Sequence, residues 1–215
     1  MGSERVVLGS EDMRRALTRV AHEIAERNAQ GQPPALVGIH RRGAFLARRL
    51  QPLLIDLLGQ PVLMGDLDIG FYRDDVATRP EAPVVNATHL DFPIDGLTVV
   101  VVDDVLYTGR TVRAAIEALF DYGRPGRLQL AVLADRGHRE LPIRPDYVGK
   151  NLPTARDERV NVRMFELDGW DEVSISPGGP RAGQNSNGGT PAGSRTADGS
   201  TPANGRAAAD LEAPL

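Results

Sequence analysis

The stretch VVVDDVLYTGRT, Val100–Thr111, constrains this chain more than any other. Four consecutive valines, Val99–Val102, run into two adjacent carboxylates, Asp103 and Asp104. A strand this apolar, LTVVVV, belongs inside a parallel sheet covered on both faces. The turn after it carries Thr108, Gly109 and Thr111 and leads into a helix that starts near Arg110. In an open α/β sheet, ligands sit at the carboxyl ends of the strands. A helix start presents N–H groups with partial positive charge, so such a turn can cradle a phosphate. Thr108 and Thr111 add hydroxyl donors, and Gly109 lets the backbone approach the anion. The two acids would face a group rich in hydroxyls, and a sugar phosphate satisfies both halves. Neither the Walker A pattern nor G-x-G-x-x-G occurs.

The flanking pattern supports an α/β fold. From Ser10 to Asn28, apolar residues recur at Met13, Ala16, Leu17, Val20, Ala21, Ile24 and Ala25, the stripe of an amphipathic helix. Ser10 is its expected N-cap, with Glu11 and Asp12 at the positive end of the dipole. ALVGI, Ala35–Ile39, reads as a buried strand entering the turn HRRG. A helix opening at Gly43 follows, and Pro52 inside it predicts a kink or early break. PVLMGDLDI reads as a strand, and FYRDDVATRPEAPV as a mobile loop or hairpin arm. RTVRAAIEALFDYG is a helix with Gly123 as C-cap. RLQLAVLAD is the next strand, and PDYVG and RVNVRMFEL are later ones. This alternation predicts a mostly parallel, twisted sheet flanked by helices.

From about Ser176 the composition changes. The last 40 residues contain no Val, Ile, Met, Phe, Tyr or Trp, and their charges cancel. Such a segment cannot offset its ordering entropy by burial, so residues 176–215 are expected to be a disordered low-complexity tail. The expected folded domain is residues 1–175, which then carries the whole net charge of −4. That charge does not mark the molecule as a general nucleic-acid binder. Yet 24 of its 25 basic residues are Arg, a side chain suited to bidentate phosphate contacts. With no cysteine, disulfides and thiolate metal sites are excluded. No apolar run approaches the ~20 residues that span a bilayer, and the N-terminus lacks a secretory h-region. A cytoplasmic location is expected, without membrane association.

VVVDDVLYTGRT closely resembles the phosphoribosyl pyrophosphate (PRPP) signature of type I phosphoribosyltransferases. VDDVLYTGRTVRAAIEAL, GIHRRGAFLARRL, DIGFYRDD and LADRGHRELPIRPDYVGKNLPT together resemble the branch of that family whose members regulate pyrimidine operons and are also uracil phosphoribosyltransferases. The match runs over about residues 8–175. It implies the type I fold with a small hood, and the reaction uracil + PRPP → UMP + diphosphate, with Mg²⁺ as cofactor carried through PRPP rather than on direct protein ligands. It assigns PRPP contacts to Asp103, Asp104, Tyr107, Thr108, Gly109, Arg110 and Thr111. Asp104, with Asp103, is the expected catalytic acid pair. Arg41, Arg42 and Gly43 match the pyrophosphate loop, and Tyr72 and Arg73 the flap that closes over PRPP. Arg136 is placed on the pyrophosphate side, with an ion pair to Asp135 or another acid as the plainer alternative. YVGKN matches the uracil-side hood, so main-chain groups near Val148 and Lys150 are expected to read the base.

The resemblance further implies binding of pyrimidine operon leader mRNA with UMP or UTP as co-repressor. Arg15, Thr18, Arg19 and His22 share one helical face, and His138, Arg139, Arg144 and Lys150 form a later cluster. Brought together by a homodimer or higher oligomer, they would make a basic surface for RNA phosphates. Two other readings remain open at this stage. One is a nucleotide-sensing RNA regulator with negligible turnover. The other is a salvage enzyme for another base without an RNA role.

Overall fold

The computed structural model describes residues 3–70, 72 and 88–178. Five parallel strands form the central sheet in the order β3-β2-β4-β5-β6. They are β2 (Ala35–Ile39), β3 (Met64–Leu67), β4 (Thr98–Leu106), β5 (Arg127–Asp135) and β6 (Tyr147–Asn151). Helices α1 (Ser10–Arg27) and α2 (Arg42–Leu58) cover one face, and α3 (Arg110–Phe120) covers the other. The side-chain period of two explains why β4 is apolar throughout. Val100 and Val102 pack toward α1 and α2, while Val99 and Val101 pack toward α3.

The buried residues of α1 are the seven of the predicted stripe. Its N-cap is Gly9 rather than Ser10: the Gly9 N–H donates to Asp12 Oδ2 at 3.3 Å. Helix α2 runs unbroken across Pro52, against the expected early break. Leu46 and Leu50 before the proline and Leu54 after it are all buried, so packing outweighs the lost hydrogen bond. Helix α3 stops at Phe120, short of Gly123.

A second, antiparallel sheet has the order β1-β8-β7, from β1 (Arg5–Gly9), β7 (Arg159–Arg163) and β8 (Glu172–Ser176). With the short helix α4 (Phe165–Asp168) it forms a hood built from both ends of the domain. Ser176, expected to open the tail, still pairs with Arg159. The rest of the tail lies outside the described residues from residue 179 onward.

Arg49 of α2 fastens the hood to the core. Its guanidinium donates to Glu166 at 2.9 and 2.5 Å and to Asp171 at 3.0 and 2.8 Å. The hydrogen bond from Arg49 holds Glu166 below the ordinary carboxylate range. Burial alone would raise Asp171, but Arg49 and the Phe165 N–H override it and the net shift is downward. A carboxylate depressed in the folded state stabilises it above its unfolded pKa and loses that contribution as pH falls. Arg49→Met is therefore expected to cost roughly 2 kcal/mol at pH 7. That difference should shrink below about pH 4.5 as both acids protonate, which denaturant titrations at several pH values would measure.

Candidate active site

The carboxyl ends of β2, β4 and β5 converge on one edge of the central sheet because the strands are parallel. After β2, His40 and Arg41 turn the chain into α2 through a cis His40–Arg41 peptide. His40 Nε2 lies 3.0 Å from Asp66 Oδ1. The carboxylate only accepts, so the imidazole donates. Arg48 donates to the other oxygen at 3.2 Å. Asp66 is buried and was not singled out from the sequence, although an acid inside the apolar strand Met64–Leu67 is a usable signal. Arg41 is exposed. Arg42 reaches across to the hood and donates to Asp168 at 3.1 and 3.3 Å.

Asp103 and Asp104 lie inside β4, which continues to Leu106, and not at its last residue as expected. Asp103 is buried, and its Oδ1 accepts from the Asp104 N–H at 2.9 Å. Asp104 Oδ1 accepts from the Val105 N–H at 2.9 Å. Burial raises the Asp104 carboxyl above its usual range. Hydrogen bonds from Asp103 and Val105 and the charge of Arg42 oppose that rise without cancelling it.

Gly109 caps α3 with φ +94°, a left-handed conformation that disfavours any side chain. Thr108 Oγ1 accepts from the Arg110 N–H at 3.4 Å. Thr111 stands in the first turn of α3. Arg110 donates to Glu140 at 2.9 Å. Arg136 is buried, with its guanidinium carbon 4.0 Å from the centre of the Tyr107 ring. It donates to Ala155 O at 3.1 Å, while its Nε is buried without a partner, as is that of Arg42. The ion pair with Asp135 that competed with the pyrophosphate reading of Arg136 is made instead by Arg139, at 2.5 Å.

Asp104 and Arg42 form one wall of a cleft of ≈350 Å³, and Asn161, Arg163 and Asp168 of the hood form the other. The hood residues were not singled out from the sequence, and nothing in their local pattern marks them. Tyr147–Asn151 requires a correction: it is the edge strand of the central sheet and no part of the hood. Gly149 is pressed so close to β5 that a Cβ there would lie 2.5 Å from Leu133 O, which ties the segment to the sheet. Val148 O and Gly149 O accept from Arg19 at 3.0 and 2.6 Å. Neither Val148 nor Lys150 lines the cleft.

On α1, Arg15, Thr18, Arg19 and His22, with Arg14 added, line an open depression of ≈450 Å³. Arg14 and Arg15 pair with Glu11 and Asp12. Arg19 shares itself between Glu23 and the β6 carbonyls, which brings this face beside Lys150. Arg144 is exposed. His138 Nε2 lies 2.6 Å from Thr154 O, and Arg139 is engaged by backbone carbonyls, Tyr107 O among them. The Tyr72 hydroxyl hydrogen-bonds Asp121, while Arg73 lies outside the described residues.

Two carboxylates inside a parallel strand, a phosphate-shaped turn before a helix and a hood across a cleft define a phosphoribosyltransferase. The phosphoribosyl transferase domain family matches residues 9–168, and the chain belongs to that family. A hypoxanthine phosphoribosyl transferase of Trypanosoma cruzi shares the fold at a TM-score of 0.62 with 22% identity, covering 80% of this chain and 90% of that one. Within the family the chain belongs with the PyrR proteins. It is 61% identical over 166 residues to the Bifunctional protein PyrR of Roseiflexus sp. (strain RS-1), covering 77% of this chain and 91% of that protein. It is 55% identical over 169 residues to the Bifunctional protein PyrR of Deinococcus radiodurans, covering 79% and 92% respectively.

Proposed function

We propose that the chain regulates pyrimidine operon expression by uridine-nucleotide-dependent binding of leader mRNA, and that it makes UMP and diphosphate from uracil and PRPP. Its activity resides in residues 1–175, in the cytoplasm. The observation that carries the enzymatic half is the pairing of Asp103 and Asp104 in β4 with the glycine-capped turn that follows that strand, together with the cleft that Asp104 and Arg42 share with the hood.

In the reaction, uracil N1 attacks the anomeric carbon, and the C–O bond to pyrophosphate breaks with its electron pair leaving on oxygen. Positive charge grows on the ribose and negative charge on the leaving group. Asp104 lies beneath the sugar and stabilises the first, and its raised pKa makes it a fitting acceptor for the uracil N1 proton. Asp103 holds ribose hydroxyls. Tyr107 to Thr111 bind the 5′-phosphate. Arg41 and Arg42 serve the pyrophosphate, with Arg42 passing from Asp168 to the phosphates. Uracil sits under the hood, beside Asn161.

Among the described residues, no group of three or more His, Cys, Asp or Glu is placed to hold a metal. Mg²⁺ keeps several waters and binds chiefly through substrate phosphates, so it would enter with PRPP rather than on direct protein ligands, leaving Asp103 and Asp104 to the ribose. Mg²⁺ supplies charge neutralisation at the leaving group.

RNA docks on the α1 face and Lys150. The Arg14 and Arg15 ion pairs are exposed, so a polyanion can displace their carboxylate partners. Two assays test the whole reading. UMP formation from uracil, with hypoxanthine as control, tests the enzyme, and turnover of hypoxanthine alone would overturn it. Binding of the operon's own leader RNA at several salt concentrations, with and without UMP, tests the regulator. Arg15→Ala is expected to weaken RNA binding and lower the salt slope by about 1, leaving UMP synthesis unchanged.

A further inference from the structure

The phosphate turn is set from behind by one segment, residues 136–141. Leu106 O accepts from the Arg136 N–H at 3.1 Å. Tyr107 O accepts from Arg139 Nη1 at 2.8 Å, and the same nitrogen lies 3.4 Å from Leu106 O. Thr108 O accepts from the N–H groups of Glu140 and Leu141 at 3.0 and 3.1 Å. Three successive carbonyls of the turn are thus held by the same segment.

The peptide bonds of the turn are trans. In a trans peptide the C=O and the following N–H point in opposite directions. Holding the Leu106, Tyr107 and Thr108 carbonyls toward the segment therefore turns the N–H groups of Tyr107, Thr108 and Gly109 away from it. A row of consecutive N–H groups turned one way is an anion nest.

Among the described residues, the Arg139 side chain ties this arrangement at several points. Besides the two turn carbonyls, its Nε donates to Ile143 O at 3.0 Å and its Nη2 to Asp135 at 2.5 Å. The guanidinium is held at both ends and its side chain is only 21% exposed. A planar fork can span carbonyls and a carboxylate at once, which the single ammonium of lysine cannot. Arg136 adds a lid on the Tyr107 ring, and Gly109 sits close enough to the segment that a Cβ would lie 3.3 Å from Leu141 Cβ.

We infer that Arg139 is a positioning residue for the 5′-phosphate: it aims the amide cradle without touching the ligand. This rests on the proposed sugar-phosphate reading of the turn. With the fork removed, the Tyr107 carbonyl is free to rotate, and the Thr108 N–H rotates with it.

The test is calorimetric titration of PRPP and of UMP into the full chain, with steady-state kinetics alongside. Arg139→Gln is expected to weaken PRPP and UMP binding at least tenfold and to raise the PRPP KM to match. The uracil KM should stay within twofold, since the base lies on the hood side. Arg139→Lys should recover part of the loss. A merely structural role would lower the active fraction, and so kcat, while leaving both dissociation constants alone. Asp135→Asn releases only one end of the fork and should give a smaller shift in the same direction, even where Arg139→Gln does not fold. PRPP and UMP affinities within twofold of the parent in the folded variants would overturn the inference. If the parent chain bound neither ligand, the sugar-phosphate reading would fall as well; if it bound PRPP but made no UMP, only the enzymatic reading would fall.

Discussion

Asp104→Asn is expected to lower UMP synthesis about 10²- to 10³-fold, the range seen when one preorganised electrostatic group is removed from a transition state. The amide keeps the size and hydrogen-bonding outline of the acid but cannot carry negative charge beneath the ribose or take the uracil proton. The PRPP KM should change only a few-fold, because the phosphate turn and Arg42 remain. A second consequence runs the other way. An acid whose pKa is raised in the folded state is destabilising once the pH exceeds its unfolded value, because folding must then hold a buried charge or take up a proton. Asp104→Asn removes that cost, so the variant should melt higher than the parent at neutral pH and about the same at pH 3. An acid limb in the parent's kcat/KM profile should be missing from the variant's residual activity. A variant with near-parental turnover would remove Asp104 from the chemistry. One that turned over slowly and melted lower would mean that the carboxyl serves the fold.

That a functional acid should weaken the fold agrees with how unevenly the chain reveals itself. The core was legible because its signals are local. The stripe from Met13 to Ala25 is buried residue for residue, and the valines of β4 face both helical layers. Sugar-phosphate chemistry was legible because the acids and the turn are contiguous in sequence. The hood was not. Its strands β1 and β8 pair Arg5 with Ile175, so the contact that makes them strands lies at the far end of the domain. The strand RVNVR of the opposite wall was legible, but without β1 and β8 its place across the cleft was not, and Asn161, Arg163 and Asp168 have nothing local to distinguish them. YVGKN, which the family resemblance assigns to the hood, is the edge of the main sheet, with Tyr147 buried and Gly149 packed on Leu133. Pro52 misled for a different reason: its local penalty is real, but the leucines on either side of it are fully packed.

Gly43→Ala should produce the largest combined loss of stability and ligand affinity. Gly43, which matches the pyrophosphate loop, is also required by close packing of the backbone. A Cβ at Gly43 would lie 2.3 Å from Val102 O and 3.2 Å from Asp103 Cα. A Cβ at Gly38, on β2, would lie 2.4 Å from Ala44 Cα and 2.6 Å from Gly43 O. The first turn of α2 is therefore pressed onto the backbones of β2 and β4, next to the catalytic acids. The obstacle at Gly43 is backbone, so no side-chain rotation relieves it, and the helix start must lift away from the sheet. Overpacking of this kind costs about 1–3 kcal/mol or more, which lowers the melting temperature by roughly 2–4 °C per kcal/mol in a domain of this size. The lift also carries Arg41 and Arg42 away from Asp104 and strains the bond from Arg42 to Asp168. The PRPP KM should rise at least tenfold, with a smaller change for uracil. Gly59→Ala separates this effect from general backbone cost. Gly59 has φ +65°, so alanine there is strained by about 1–3 kcal/mol. Yet nothing lies within 4 Å of its Cβ position, and it stands at the opposite end of α2. It should lower the melting temperature comparably and leave the PRPP KM unchanged. If Gly43→Ala kept the parental KM, the contact between α2 and β4 would not be what places the pyrophosphate arginines.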